Sequence, residues 1–332
     1  MKKGIQNLVF GIFIIIILVF IFSCQDVPTT TSSNNNNNNT NNGWTLQTTN
    51  FSGKLFSVTF TDASTGMAAG EVGKIFRTID GGVHWYEKNS DGSYWLKCIK
   101  YIDPASAVAV GSGGVILRTD DSGATWMQQS CGTINLLNGV IFPDKNIGYV
   151  TGFAGSVYKT ANRGITWGFM PQVNITMNSI SFIDAVSGTV CGSSGKVFRT
   201  YNGGLNWVSS TIGTGVDLNC VAFVNALTGV VVGNAGVILT TFDGGQSWNL
   251  RQAPLYYTLF GVSFPALGRI TAVGGEGTIF TSTDWGSTWK QQNSNTYINL
   301  YAVTFLDANT GFIVGDNGTV LTTTTGGENF SK

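Results

Sequence analysis

The chain offers little to a catalytic mechanism. Its 332 residues include one histidine, His84, and only four of its 18 acidic residues are glutamates. A general base needs a titrating side chain poised at a substrate, and glycoside hydrolysis needs two carboxylates facing each other across a cleft. His84 occupies a position that elsewhere holds Thr125, Thr166, Asn206, Ser247 and Thr288, so it reads as a turn residue. Asp62, Asp103, Asp144, Asp184 and Asp307 recur at a regular interval, which marks them as turn-formers rather than a catalytic pair. The five cysteines show neither a disulfide framework nor the Cys/His spacing of a metal site. No catalytic residue, metal or cofactor is expected.

Binding chemistry is better represented. Arg77, Arg118, Lys159 and Arg199 share one position of a repeating pattern, and Thr240, Thr281 and Thr322 fill it in the remaining copies. A row of cations that the position does not itself require suits an acidic peptide or the carboxylate of a chain terminus. The alternative is that the aliphatic stems pack between elements while the heads bond nearby Asp turns. A second group is aromatic: Tyr94, Trp95, Tyr256, Tyr257, Tyr297 and Tyr301, accompanied by Glu71, Glu276 and Asp316. An aromatic rim with an acidic arc fits a peptide or a glycan, unless the rings only pack over strand ends.

Both groups are positioned by a repeat. Thr78-x-Asp80-x-Gly82-x-x-Trp85 returns through Asp121, Asn162, Asn202, Asp243 and Asp284. A degraded last copy has Thr323, Thr325, Gly327 and Phe330. From Trp85 the aromatic spacings are 41, 41, 40, 41, 41 and 41, and such a period means a repeat fold. The Asp or Asn can accept N–H bonds from one or two residues on, the hydroxyl can tie back to the same turn, and the glycine permits positive φ. The Trp can pack over the turn with its indole N–H on a carbonyl. The pattern resembles the Asp-box, or bacterial neuraminidase repeat, a hairpin-stabilising device found in sialidases, sortilin-type receptors and assembly-factor propellers. No arginine triad of the sialidase kind accompanies it.

Apolar runs between Gly and Asp turns predict four strands per repeat, near 56–61, 66–70, 74–79 and 85–89 in the first copy. The third strand is apolar on both faces, as in Ile75 with Phe76 and Ile116 with Leu117, so its sheet is sandwiched between two others. Radially stacked four-stranded sheets are the blades of a β-propeller. Trp44 lies 41 residues before Trp85 and opens a strand without a blade, while the last blade lacks its outer strand. The expected fold is therefore an all-β, seven-bladed β-propeller of four-stranded antiparallel blades, closed by the N-terminal strand. Ser57, Cys98, Gly139, Ser179, Cys220, Gly261 and Ala302 form a column of small residues where innermost strands crowd the axis. Cys98 and Cys220 are fillers in that column, Cys191 aligns with core valines, and Cys131 sits in a connector. Connectivity puts the aromatic group on one face and the basic column on the other.

Residues 1–24 read as a targeting segment, with Lys2 and Lys3 before the apolar run Leu8 to Phe22. Ile21-Phe22-Ser23-Cys24 resembles a bacterial lipobox, which implies a lipid on Cys24; an uncleaved anchor is the alternative. Residues 25–43, rich in Asn, Thr and Ser, form a disordered tether, and 44–332 form the propeller. Both readings of the leader put the propeller outside the cytoplasm, on the cell envelope. The 18 basic and 18 acidic residues balance, unlike a nucleic-acid binder.

The full repeat, Gly-x-Ile-x-Arg-Thr-x-Asp-Gly-Gly-x-x-Trp, resembles the photosystem II stability and assembly factor family over residues 44–330. That resemblance implies an exported propeller that holds a membrane-protein partner during assembly through an arginine-rich surface. The expectation is a non-catalytic, membrane-tethered, monomeric propeller that binds a protein or peptide. A glycan-binding or sialidase-like module and a passive cell-surface domain are the alternatives.

Overall fold

A computed structural model describes residues 43–89, 92–170, 173–210, 212 and 214–328. The targeting segment, Cys24, the tether as far as residue 42 and Phe330 lie outside the described residues. Strand β1 spans Thr45–Thr48, and the first complete repeat follows as β2 (Leu55–Phe60), β3 (Gly66–Gly70), β4 (Lys74–Thr78) and β5 (Tyr86–Asn89). These strands pair antiparallel in chain order, and the pattern returns around the molecule as seven four-stranded sheets.

The last sheet closes the ring. Its strands run β1, Thr319–Thr323, Gly311–Gly315 and Leu300–Phe305, with Thr45 opposite Thr322 and Thr48 opposite Thr319. Trp44 completes it. Its ring meets Phe305 edge-on at 5.8 Å, as Trp85 meets Phe60 at 6.0 Å. Trp44 is 1% exposed, and its indole N–H donates to Gln292 Oε1 at 2.9 Å. The aromatic that opens the last blade's outer strand thus comes from the other end of the chain, as expected of an N-terminal strand that closes the ring.

The core lies between blades rather than within them. Every residue of β3 is buried. Met67 and Ala69 pack with Leu96, Ile99 and Ala107 of the second blade, while Ala68 packs with Phe312 and Val314 of the seventh. Ile75 and Phe76 of β4 divide in the same way. This alternation is why the inner strands have no polar face. The small column lets innermost strands meet: Ile99 N–H donates to Ser57 Oγ at 3.1 Å and Val221 N–H to Ser179 Oγ at 3.2 Å, each across a blade boundary.

Two repeated backbone bonds define the faces. The turn after each second strand bonds the connector entering its own blade, as Glu71 N–H to the Lys54 carbonyl and Ser112 N–H to the Trp95 carbonyl, both 2.9 Å. On the opposite face each Asp-box turn bonds the turn between the first two strands, as Gly81 N–H to the Ser64 carbonyl at 2.8 Å. The connector face therefore carries Tyr94, Trp95 and Tyr297, and the Asp-box face carries the basic column.

Candidate functional site

The Asp-box turns are built around the hydroxyl. Thr78 Oγ1 accepts the Gly82 N–H at 2.8 Å and donates to Asp80 Oδ1 at 2.9 Å. The same glycine-to-hydroxyl bond recurs in the degraded copy, Gly327 to Thr323 at 2.8 Å. Asp80 accepts the N–H of His84 at 2.9 Å, four residues on rather than one or two. The hydroxyl already takes the nearer donors, so the carboxylate reaches further. His84 Nδ1 lies 2.6 Å from Asp80 Oδ2, where Thr125 and Ser247 place hydroxyls at 2.6 Å from their own Asp. His84 is therefore a substitute for that hydroxyl. Indole N–H bonds to the turn glycine form at Trp167 and Trp289, both 3.1 Å, but the buried indoles of Trp85, Trp126, Trp207 and Trp248 bond no protein group.

Asp284 is held at about 2 by bonds from the Thr288 hydroxyl and N–H and the Ser282 hydroxyl. At Asp243 desolvation pushes upward, and the Ser247 hydroxyl and N–H outweigh it to hold the carboxyl at about 2. Such carboxylates are fixed acceptors at neutral pH and have no proton to exchange.

The basic column is not one open track. Arg118 is 5% exposed; its Nε donates to the Arg163 carbonyl at 2.8 Å and its head pairs with Asp120. Arg163 in turn pairs with Asp103. Arg118 thus staples the second blade to the third, the packed alternative for this position. Arg77, Lys159 and Arg199 are half-buried. Lys159 Nζ sits 5.2 Å from the Tyr149 ring, and the Arg199 guanidinium sits 5.3 Å from the Tyr201 ring. Arg199 Nε and Nη1 are buried without a protein acceptor, in a hollow lined by Ser181, Thr189, Tyr201 and Phe223. Around that hollow the turn tips expose Val186, Tyr201, Leu205, Leu227 and Phe242. The sequence reading missed this apolar surround, because outward turn positions carry no periodic signal.

On the connector face Tyr256 and Tyr297 are 79% and 87% exposed, and Trp95 and Tyr257 are also exposed. Tyr94 packs against the core between the first two blades. Tyr301, read as a connector residue, lies inside Leu300–Phe305, and its hydroxyl donates to Asp316 Oδ1 at 3.0 Å. Glu71 accepts the Lys54 N–H at 3.1 Å, and Lys54 Nζ lies 3.9 Å from Asp316. Glu276 is exposed, at a left-handed φ of 55°. The acidic arc is thus partly neutralised within the protein. Phe56, Lys97 and Phe260 were overlooked. They occupy the position just before the small column, where the legible signal was a change of residue type from blade to blade.

A family model described as Photosynthesis system II assembly factor YCF48 matches residues 36–170 and 254–324. Among solved structures, YCF48 bound to D1 peptide superposes with a TM-score of 0.74 and 19% identity, covering 86% of this chain and 97% of that one. YCF48 from Cyanidioschyzon merolae gives 0.73 and 20%, covering 85% and 98%. The WD40 β-propeller domain of Doa1 gives 0.71 at 12% identity, covering 85% and 97%, so structural likeness at this level reports the propeller alone. No curated protein matches the chain in sequence. The two matched segments span more than half of the chain, and the chain belongs to the photosystem II assembly factor YCF48 family.

Proposed function

We propose that the protein is a non-catalytic propeller that binds an acidic peptide segment of a partner on its Asp-box face, held at a membrane surface by a lipid on Cys24. Family membership supports a protein-binding role, and the YCF48 structure with a D1 peptide supports a peptide as the form of partner. The observation that carries the choice of face is Arg199. Two buried N–H donors without an acceptor are costly in a finished fold, and a partner carboxylate beside the guanidinium would supply the counter-charge that the protein does not. The apolar tips around the hollow would flank that contact, with Lys159 on the adjacent blade.

The test uses the full-length protein and a labelled peptide rich in Asp and Glu. Arg199→Gln is expected to weaken binding by about tenfold or more, the scale of a lost charge-assisted bond. Binding to the wild type should weaken as salt rises. Arg118 is unsuitable for this test, because removing it leaves the blade staple broken. Equal affinity in a folded Arg199→Gln variant would reject this face. The anchor is tested separately: fatty-acid labelling should mark the wild type and not Cys24→Ala.

A further inference from the structure

Every innermost strand breaks register after its first residue, as between Leu55 and Ser57 or between Leu137 and Gly139. A residue is expelled there in each blade, at the connector end of the strand nearest the axis. In the third, fourth and fifth blades it is Asn138, Asn178 or Asn219. Each of these amides donates at 2.9 Å to the first carbonyl of the next inner strand, that of Met177, Leu218 or Leu259. Asn at this position therefore has a complete structural explanation: it bridges neighbouring blades.

The other four blades are consecutive around the closed ring and give up that bridge. Their residues are Phe260, Tyr301, Phe56 and Lys97. The rings follow one another at 5.2 Å from Phe260 to Tyr301 and 5.4 Å from Tyr301 to Phe56, and Trp95 adds a fourth at 6.3 Å. Phe56, Lys97, Phe260 and Tyr301 are all half-buried, so the group is open on one side. Lys97 Nζ lies 3.7 Å from the centre of the Phe56 ring. Among the described residues it has no carboxylate partner. Neighbouring Lys54 is balanced by Asp316 and by Glu71. Bulges commonly re-aim side chains beside sites, and places where a repeat departs from its local rule are where functional sites are expected.

We infer that this half-ring at the connector-face mouth of the axis binds a carboxylate carried next to an apolar side chain of a peptide, with Lys97 taking the carboxylate and the Phe56–Tyr301–Phe260 rings taking the apolar group. The site is distinct from the Asp-box face and does not depend on it. Burial, reinforced by repulsion from Lys54 and opposed by the Glu71 carboxylate, lowers the Lys97 pKa. A cation seated on a ring face gains from that ring yet keeps its other side for an anion. The polar groups that a sugar would need are already engaged. Glu71 holds the Lys54 N–H, Asp316 holds Tyr301 and Asn299, and the three Asn amides hold carbonyls. A lysine with no carboxylate at ion-pair distance among the described residues, seated beside apolar rings, matches a carboxylate beside an apolar group.

The experiment titrates the full-length, detergent-solubilised protein with three labelled peptides. One ends in Leu-Phe with a free carboxylate, one is its C-terminal amide, and one is an amide carrying Asp before the Phe. The decisive variant is Lys97→Asn, which should form the bridge to the Leu137 carbonyl that Asn138 forms one blade on. It is expected to bind at least tenfold more weakly while its melting temperature stays level or rises. Lys97→Met, of similar length, should lose binding equally. Binding of the free acid alone identifies a chain end, and binding of the Asp-containing amide identifies a side chain; either supports the site. Equal affinity in folded Lys97→Asn or Lys97→Met overturns it. So does a failure of all three peptides to bind, whether or not an acidic oligosaccharide binds instead.

Discussion

At the scale of single residues, the repeat is a device for satisfying backbone donors at a tight turn. The hydroxyl takes the buried glycine N–H and the Asp or Asn takes the N–H four residues on, so neither donor is left unpaired. His84 fits that device, since its ring nitrogen stands where Thr125 has a hydroxyl. His84→Thr should change stability by no more than about 0.5 kcal/mol, the range of ordinary surface substitutions, as read by urea unfolding. Titration follows from the same bonds. Asp243 and Asp284 are held at about 2 against an ordinary 3.8. A depressed folded value means that their stabilisation is full above the unfolded value and is lost as pH falls through the folded one. The window therefore runs from about pH 4 down to about pH 2. Asn162 and Asn202 make the N–H bond without titrating. The double variant Asp243→Asn/Asp284→Asn should accordingly lose stability less steeply in that window. An identical acid limb in denaturation curves would show that other groups govern it.

At the scale of elements, the turn joining the second and third strands of each blade sets the register of both. Its two central residues are left-handed, as with Val72 at φ 53° and Gly73 at φ 67°, the geometry that matches the twist of a two-residue hairpin. Asn317-Gly318 is the preferred pair for it, whereas Val72 is β-branched and strained there. Val72→Asn should stabilise by about 0.5–1 kcal/mol, a part of the strain typical of such positions. The second position admits only glycine for two reasons. Gly155 has φ 73°, and a Cβ on it would lie 1.7 Å from the Val173 carbonyl oxygen of the connector. Gly155→Ala should thus cost more than about 1 kcal/mol. A melting curve unchanged by Gly155→Ala would mean that the connector shifts freely.

At the scale of the whole molecule, stability depends on closure. Each blade buries its faces against two neighbours, so a gap exposes two apolar faces at once. Trp44 is the plug of the last blade, packed edge-on against Phe305 and bonded to Gln292 of the sixth blade. Trp44→Ala should lower global stability by about 3–5 kcal/mol, as for large aromatic truncations in cores. Calorimetry should show one cooperative transition moved down in temperature. A local change near the seventh blade with an unmoved global transition would refute closure by this residue.

Much of this architecture was legible in the chain, for a physical reason. A period near 41 residues, turn residues at fixed offsets and doubly apolar third strands are local requirements, met separately in every copy. Blade number, strand order and closure follow from them by counting. The chemistry of the faces was less legible, because it depends on contacts between residues about 40 or more positions apart. The column of Arg77, Arg118, Lys159 and Arg199 looked uniform in sequence, yet the next blade supplies Arg163 and its carbonyl to Arg118, and nothing comparable reaches the Nε and Nη1 of Arg199. Tyr301 sits in an inner strand because a register break expels it there. Lys97 became notable only when the ring brought Phe56 beneath it and left its other side open. Repetition along the chain determined the scaffold. What each repeated position does was decided across blade boundaries, where burial and charge depend on the neighbour.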